Sequence, residues 1–245
     1  MAKILLIETA TEVCSVAIAV NGAVVALEEA PDSLNHAALL TLQISRCAQQ
    51  SGLALSELDA VAVSAGPGSY TSLRVGVSVA KGLCYALNKP LIAVDTLLAL
   101  AMAGKPPVQT DRKKKNGHLF FLPMIDARRN EVWTSIYDHH FRQITPAQPL
   151  ILENNSFVNF ITDFVPLADQ DLLVVSGNGM HKVLNVTFFE NTVMSAVKKC
   201  SAQYLSDIAL KMFQNSDFQD IAYFEPLYMK PPNITVSNKS AWHEK

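Results

Sequence analysis

The sequence predicts an α/β protein with two lobes, each built from a βββαβα series on a mixed sheet. Three observations support this fold class: the first thirty residues contain three strand-like runs, strands and helices then alternate, and the second half loosely repeats that order. The opening hairpin requires antiparallel pairing, whereas strands that alternate with helices favour parallel pairing. We therefore expect a mixed sheet in each lobe.

The N-terminal part predicts a β-meander followed by a helix. Asn21 and Gly22 separate the second strand from the third, and this pair is a strong hairpin signal because both positions need positive φ. The next segment, residues 35–51, has apolar residues at helical spacing, with Asn35 as its N-cap and Gly52 as its terminating glycine.

The rest of the first half alternates strand and helix. The buried strand LDAVAVSAG leads into a Gly-Pro-Gly turn and a helix from about Ser72 to Leu87, and the strand PLIAVD precedes a short helix from Leu97 to Ala103. A basic, proline-containing loop over residues 105–116 then marks the boundary between an N-terminal lobe (1–104) and a C-terminal lobe (105–245). This loop could be a patch for RNA or a partner, although short charge runs usually serve only to solvate a loop.

The second half predicts a hairpin, HLFFLPMIDAR and EVWTSIYDHH, around Arg128 and Arg129. A strand near residues 149–152, a helix near residues 156–164, the strand DLLVVSGNG and a helix from Ser201 to about Gln214 follow. Two such halves facing each other across a cleft resemble the actin, hexokinase and Hsp70 superfamily, whose members hold ATP in the cleft.

Charge, cysteine spacing and the length of apolar runs limit the classes of function that the chain can have. The formal net charge of −2 provides no general attraction to nucleic acid, so an RNA role would need a partner. The four cysteines contain no C-x-x-C pair that would indicate a zinc or redox site. Because no apolar run reaches the roughly 20 residues of a membrane span and no signal peptide precedes the first strand, we expect a cytoplasmic protein without membrane contact.

Four motifs together resemble one family. They are ETAT from Glu8, GPGSYTSLRVG from Gly66, IDARRNEV from Ile125 and EPLYMK from Glu225. In this order, over nearly the whole chain, they are similar to the TsaB (YeaZ) family of tRNA threonylcarbamoyladenosine modification. The resemblance implies a non-catalytic partner of the related enzyme TsaD. Together with TsaD and the ATPase TsaE, such a protein takes part in the transfer of a threonylcarbamoyl group to tRNA. The group is attached to the adenosine beside the anticodon in tRNAs that read codons beginning with A.

The residues at the first strand end argue against ATP hydrolysis. An ATP-hydrolysing cleft needs an acidic residue and a glycine-rich hairpin close to the phosphates. Here Ala10 and Glu12 would crowd a phosphate. The family usually has Asp at the position of Glu8, and we interpret Glu8 as a carboxylate that caps neighbouring amides.

The histidines predict no metal site. TsaD binds a metal through two histidines four residues apart on its first helix, whereas here Leu40 follows His36 at that spacing. The sequence also lacks H-E-x-x-H. We therefore expect no catalytic residue, no metal and no intrinsic cofactor, with ATP or ADP bound, if at all, at the partner complex. His36 is expected at the surface or in an interface.

The first two helices predict an interaction surface. Apolar residues cover more of the first helix than the stripe, about 100° wide, that packing on one sheet requires. Small residues recur at every fourth position of the second helix, which permits close approach of a partner helix or of the protein's own sheet. The resemblance favours docking, because TsaB-like proteins use these helices to self-associate and to bind TsaD. The expected interface residues are His36, Leu39, Leu40, Ile44, Arg74, Gly76, Ala80 and Cys84.

The Gly-Pro-Gly turn has two interpretations. We favour a rigid connection that leads into the interface helix. The alternative is a site that holds an anion at the free amides of the helix N-terminus. Ser69 and Thr71 suit helix capping, and Ser72 stands where the family usually has glycine. The residues of the possible anion or nucleotide loop are Thr9, Thr11, Gly66, Gly68, Ser69 and Thr71.

The sequence also suggests which groups interact with the charged residues beyond this loop. Arg74 lies in the first turn of the second helix, where the helix dipole disfavours a cation, so we expect a carboxylate or phosphate partner, which could lie across the interface. Asp126, Arg128 and Glu131 match the family pattern at the second hairpin, and we favour a local hydrogen-bonded turn over a role in orienting the domain interface or contacting the complex. The alternatives to a scaffold subunit are an autonomous ATP-dependent enzyme of the same superfamily and an unrelated metal-dependent hydrolase.

Overall fold

The computed structural model describes residues 1–30, 35–106, 117–165, 167–184 and 191–229. Within these ranges the first half forms a five-stranded mixed sheet of order β3-β2-β1-β4-β5. Strands β1 to β3 pair antiparallel, whereas β4 pairs parallel with β1 and with β5. The strands are β1 (Lys3–Glu8), β2 (Cys14–Val20), β3 (Ala23–Ala30), β4 (Ala60–Gly66) and β5 (Leu91–Asp95).

The described part of the second half forms a five-stranded sheet of order β10-β9-β6-β7-β8. Its central strand β6 pairs antiparallel with β7 and parallel with β9, as β1 does with β2 and β4, so the expected duplication is confirmed. The predicted strand EVWTSIYDHH is too long, because β7 ends at Thr134, and β10 was not predicted. The strands are β6 (Leu119–Asp126), β7 (Glu131–Thr134), β8 (Gln148–Ile151), β9 (Leu172–Ser176) and β10 (Thr192–Met194).

Local signals position the helices. Asn35 Oδ1 accepts a hydrogen bond of 3.3 Å from the Ala38 amide at the start of α1, and Asn21 and Gly22 both have positive φ in the β2–β3 turn, as predicted. Helix α2 begins two residues before the predicted Ser72. The α-helices are α1 (His36–Ser51), α2 (Tyr70–Leu87), α3 (Thr96–Ala103), α4 (Ser156–Phe164) and α5 (Ser206–Gln214), with 3₁₀ turns at Leu55–Glu57, Asn178–Val183 and Ala202–Leu205.

The two faces of the first sheet are covered by different helices. Alternate residues such as Leu5 and Ile7 face α1 and α2, whereas Ile4 and Leu6 face α3 and residues 202–214. The predicted helix from Ser201 begins as a 3₁₀ turn, and its packing on the first sheet was not foreseen. The lobe boundary at residues 104 and 105 stays a prediction, and residues 107–116 of the basic loop lie outside the described residues.

Residues 217–229, which we call the C-terminal strap, return across the first lobe. The Gln219 amide donates to the Leu91 carbonyl and the Leu227 amide to the Ala65 carbonyl, each at 2.8 Å. Lys81 Nζ on α2 donates to the carbonyls of Ala222 and Phe224, each at 3.1 Å. The strap therefore joins the end of β4 to the outer side of α2.

Candidate functional site: a filled loop beside a helix-lined surface

Glu8 ends β1 as a buried carboxylate. Its Oε1 accepts a 2.6 Å hydrogen bond from the Ala10 amide, so the predicted capping role is confirmed. Burial raises the pKa of Glu8 to about 7, against the opposing effect of hydrogen bonds from Ala10, Ser64 and Thr9. The carboxyl is thus held by its own turn, below the protein surface.

The turn after Glu8 packs directly against the Gly-Pro-Gly loop. The Ser69 amide donates to the Ala10 carbonyl at 2.7 Å, and a Cβ on Gly68 would lie 2.4 Å from that same oxygen. Thr9 is fully buried against α2, where a Cβ on Gly76 would lie 2.2 Å from Thr9 Oγ1. Glycine at positions 68 and 76 is what allows this approach. The space that a phosphate would need between the turn and the loop is therefore filled by protein.

The residues of the possible anion loop do not converge on one open cradle. Thr9 and Thr11 are buried, and Gly66 faces the carbonyl of Leu227 in the strap. The expectation that the Ser69 side chain caps α2 is wrong, because its Oγ accepts a 3.0 Å hydrogen bond from Ser72 Oγ and makes no bond to a helix amide. Thr71 is exposed and faces a groove described below. Anion binding by these residues stays a prediction.

Arg74 lies against aromatic rings at the start of α2. Its Nε donates to the Tyr228 hydroxyl at 3.0 Å, and its Cζ lies 4.3 Å from the ring centroid of Tyr70 and 5.4 Å from that of Tyr228. The two rings contact each other, with their centroids 4.6 Å apart. The sequence did not indicate that these tyrosines contact Arg74, although Tyr228 belongs to the EPLYMK motif.

Helices α1 and α2, together with residues 52–55 after α1, line two grooves. The larger, of about 620 Å³, lies towards the C-terminal half of α1, and the smaller, of about 470 Å³, lies beside Arg74. Val79 lines both grooves and separates them. The larger groove is lined by Thr41, Ile44, Ser45, Ala48, Gln49, Gly52, Leu53, Ala54, Leu55, Val79 and Leu83, and the smaller by Ala37, Tyr70, Thr71, Arg74, Val75, Ser78 and Val79.

Most residues predicted for the interface lie beneath this surface. Arg74 is exposed and Leu39 is half-buried, whereas Ile44 is buried at the floor of the larger groove. The expectation that the small residues of α2 face a partner needs correction, because close packing on the first sheet buries their side chains. The buried residues of the predicted set are His36, Leu40, Ile44, Gly76, Ala80 and Cys84. Their half-buried neighbours Val75 and Val79 line the grooves instead.

The second hairpin forms the local turn that its sequence predicted. Asp126 Oδ1 accepts hydrogen bonds from the Arg128 amide at 2.6 Å and from Lys182 Nζ at 2.5 Å, and Lys182 Nζ also donates to the Glu131 carbonyl at 2.8 Å. Asn178 Oδ1 accepts from the Asp126 amide, and its Nδ2 donates to Glu12 Oε2 at 2.8 Å. The specific bond between Asn178 and Glu12 was not predicted. Gly177-Asn178-Gly179 comes directly after β9, whereas Gly66 of the Gly-Pro-Gly turn is the last residue of β4.

Among the described residues, no group of three or more histidine, cysteine, aspartate or glutamate side chains could hold a metal ion. No helix in the described ranges is long and apolar enough to cross a membrane.

Comparison with known proteins places this architecture in a family. YeaZ from Pseudomonas aeruginosa superposes with a TM-score of 0.76 at 25% identity, covering 93% of this chain and 100% of that one. The model of the family described as TsaD, tRNA N6-adenosine threonylcarbamoyltransferase, matches residues 30–235. The tRNA threonylcarbamoyladenosine biosynthesis protein TsaB of Escherichia coli K12 is 36% identical over 136 residues, or 55% of this chain and 54% of that protein. The chain belongs to the TsaB branch of the TsaD family.

Other relatives of this TsaB-family chain fit the same placement. TsaB of Bacillus subtilis is 32% identical over 123 residues, or 48% of each protein. The tRNA N6-adenosine threonylcarbamoyltransferase of Moorella thermoacetica is 39% identical over 112 residues, or 43% of this chain and 33% of that enzyme. The chain spans about half the length of the curated TsaB relatives that it matches. The expected α/β fold with duplicated mixed sheets is confirmed, since the two sheets have the same strand order and the fold matches that of YeaZ.

Proposed function

We propose that this chain is a non-catalytic scaffold subunit that activates a TsaD-type transferase by docking it on the outward side of α1 and α2. The observation that carries the proposal is the pair of adjoining grooves, lined mainly by apolar and small residues and enclosed by these two helices. Adjoining concave, mainly apolar surfaces are typical of interaction sites.

The geometry of α2 supports docking of helices rather than of a small polar substrate. The two grooves run along the same two helices and share Val79, so an elongated apolar element could fill both. Leu42, on the outward side of α1, is 54% exposed and would extend this apolar surface. Burial of such side chains by a partner contributes about 25 cal/mol per Å² of apolar area.

The filled Gly-Pro-Gly loop supports a non-catalytic role for this chain. A nucleotide phosphate beside Glu8 would have to displace Ala10 from Gly68 and break the hydrogen bond from the Ser69 amide. The relatives named TsaB are called biosynthesis proteins, whereas the relative from Moorella thermoacetica is called a transferase. This division of names fits a partner of the enzyme.

The proposed setting is tRNA modification. In it, the transferase bound to this chain moves a threonylcarbamoyl group to the adenosine beside the anticodon of tRNAs that read codons beginning with A. TsaE joins the wider complex, tRNA meets this chain through the complex, and ATP or ADP belongs to the complex rather than to this chain alone. A homodimer in the absence of the transferase would use the same surface, and the assembly would act in the cytoplasm.

Calorimetric titration of the chain with the TsaD-type transferase of the same organism tests the proposal. Val79→Glu places a charge between the two grooves and should weaken binding by about 2 kcal/mol or more. Ile151→Glu is the control for placing a glutamate on an apolar position outside the grooves, since Ile151 is exposed and lies on β8 of the other lobe. Circular dichroism confirms that each variant is folded.

Two results would refute the proposal. The first is unchanged affinity of a folded Val79→Glu variant, and the second is the absence of wild-type binding both with and without ATP. Steady ATP hydrolysis by the isolated chain would instead favour an autonomous enzyme.

A further inference from the structure

Arg74 differs from every other residue that lines the two grooves. It alone among these lining residues, all of which are described, has a side chain that is charged at neutral pH. The remaining lining residues are apolar, small or neutral and polar. A partner that fills the grooves therefore contacts a largely uncharged surface, and the one cation on it, Arg74, lies at the smaller groove.

Contacts with two tyrosines orient the guanidinium in the chain alone. One edge of the group is occupied, because Nε donates to the Tyr228 hydroxyl at 3.0 Å. The ring of Tyr70 lies 4.3 Å from Cζ, within the range of a cation–π contact. Tyr228 is in turn placed by the strap, which Lys81 fixes to α2 through two carbonyls. Such preorganisation reduces the entropy lost when the arginine forms further hydrogen bonds.

The opposite edge of Arg74 offers the two Nη groups. Within the described residues no carboxylate lies within 4 Å of this guanidinium, and Glu225 on the strap acts on it only at longer range. Two parallel N–H donors on one edge match the two oxygens of a carboxylate. Burying a dianionic phosphate among neutral groove residues with one cation would cost more than burying a monoanion, because the cost of desolvation rises with charge.

We propose that Arg74, positioned by Tyr70 and Tyr228, is the charged anchor of the α1–α2 surface and binds an aspartate or glutamate side chain of the docked protein. This inference rests on the proposed function. Within it, the apolar grooves supply most of the affinity, and Arg74 selects partners that present one carboxylate in register with the smaller groove.

Titration of the cognate TsaD-type transferase with arginine variants tests the inference. Arg74→Gln should weaken binding about tenfold or more, and Arg74→Lys should fall between Arg74→Gln and wild type because lysine keeps the charge but loses the two-donor edge. Tyr228→Phe removes the hydrogen bond to Nε and retains the ring, so it should weaken binding by a smaller factor. Arg46→Gln is the control, since Arg46 is an exposed cation on α1 that pairs with Glu28 at 3.7 Å and lines neither groove.

Measurements with added salt and with variants of the partner separate the loss of a charge from the loss of shape complementarity. Wild-type affinity should fall with added salt more steeply than that of Arg74→Gln, because screening weakens an ion pair that the variant lacks. Replacing the partner's acidic residues one at a time with alanine should identify one whose effect disappears in the Arg74→Gln background.

Each outcome decides between specific claims. Wild-type affinity in Arg74→Gln overturns the carboxylate anchor and leaves the docking surface standing. Absence of wild-type binding overturns the proposed function and this inference with it. If Arg74→Gln weakens docking only when ADP is present, and abolishes ADP binding to the isolated chain, the occupant is a phosphate and the inference is wrong.

Discussion

Gly76→Ala tests whether contact with Thr9 holds α2 close to the end of β1. The new Cβ would lie 2.2 Å from Thr9 Oγ1 and 3.2 Å from Thr9 Cγ2, so the helix or the threonine must shift. Overpacking of this kind costs about 1–3 kcal/mol. Replacing a helical glycine with alanine gains about 1 kcal/mol by helix propensity, which masks part of that cost.

Gly82→Ala provides the comparison that removes the propensity effect. Gly82 lies in the same helix, and a Cβ there meets nothing within 4 Å, so this variant should gain the full 1 kcal/mol or so. The free energy of unfolding in urea should therefore be lower for Gly76→Ala than for Gly82→Ala by about 1–3 kcal/mol. Equal stability of the two variants would refute the close contact between α2 and Thr9.

Thr9→Ala should rescue Gly76→Ala. It removes both side-chain atoms nearest to the new methyl group, and it breaks no hydrogen bond, since Thr9 Oγ1 has no partner among the described residues. The double variant should recover roughly 1 kcal/mol or more relative to the sum of the single effects, as expected for residues in contact. Additive effects would mean that the cost arises elsewhere in α2.

Two further predictions concern the groups on either side of this contact. Because the folded protein raises the pKa of Glu8 from 4.5 to about 7, it binds this proton more tightly than the unfolded chain does, so stability should fall as pH rises from about 5 to about 8. The loss should approach roughly 3 kcal/mol in urea unfolding, and Glu8→Gln, which stays neutral, should flatten the profile. Lys81→Met keeps the aliphatic stem of the side chain but removes its two hydrogen bonds to the strap. The amides of Gln219 and Leu227 should then exchange hydrogen about tenfold faster. Unchanged exchange rates would contradict the idea that Lys81 fixes the strap to α2.

The elements that sequence reasoning predicted well are those with local signals. The Asn21-Gly22 turn and the Asn35 cap depend on residues within a few positions of each other, and both were found where expected. Strand β10 has three residues, too few for a periodic pattern to indicate. Packing of residues 202–214 on the first sheet depends on contacts with strands nearly two hundred residues away, which no local pattern encodes.

The sequence directed attention to α1 and α2, but the residues that line the grooves differ from most of those predicted. It indicated that α1 contains more apolar surface than one sheet needs and that α2 has a ridge of small residues, and two grooves lie beside these helices. It could not distinguish the buried face from the outward one, because small or apolar residues occupy both faces of α2. Ala80 therefore seemed available to a partner, whereas Val79, one position earlier, is the residue that lines the grooves.

The filled loop and the available surface have a common cause in the small residues of α2. Gly76, Ala80 and Cys84 let the helix lie close to the sheet, which presses its first half against Thr9 and leaves no room for a phosphate. The adjoining half-buried flank of α2, with Val75 and Val79, then lies beside α1 and lines the grooves. A larger residue at position 76 would lift α2, opening the loop and altering the grooves together. We therefore expect variants at position 76 to change partner affinity without touching the partner, and Thr9→Ala to restore affinity and stability in parallel.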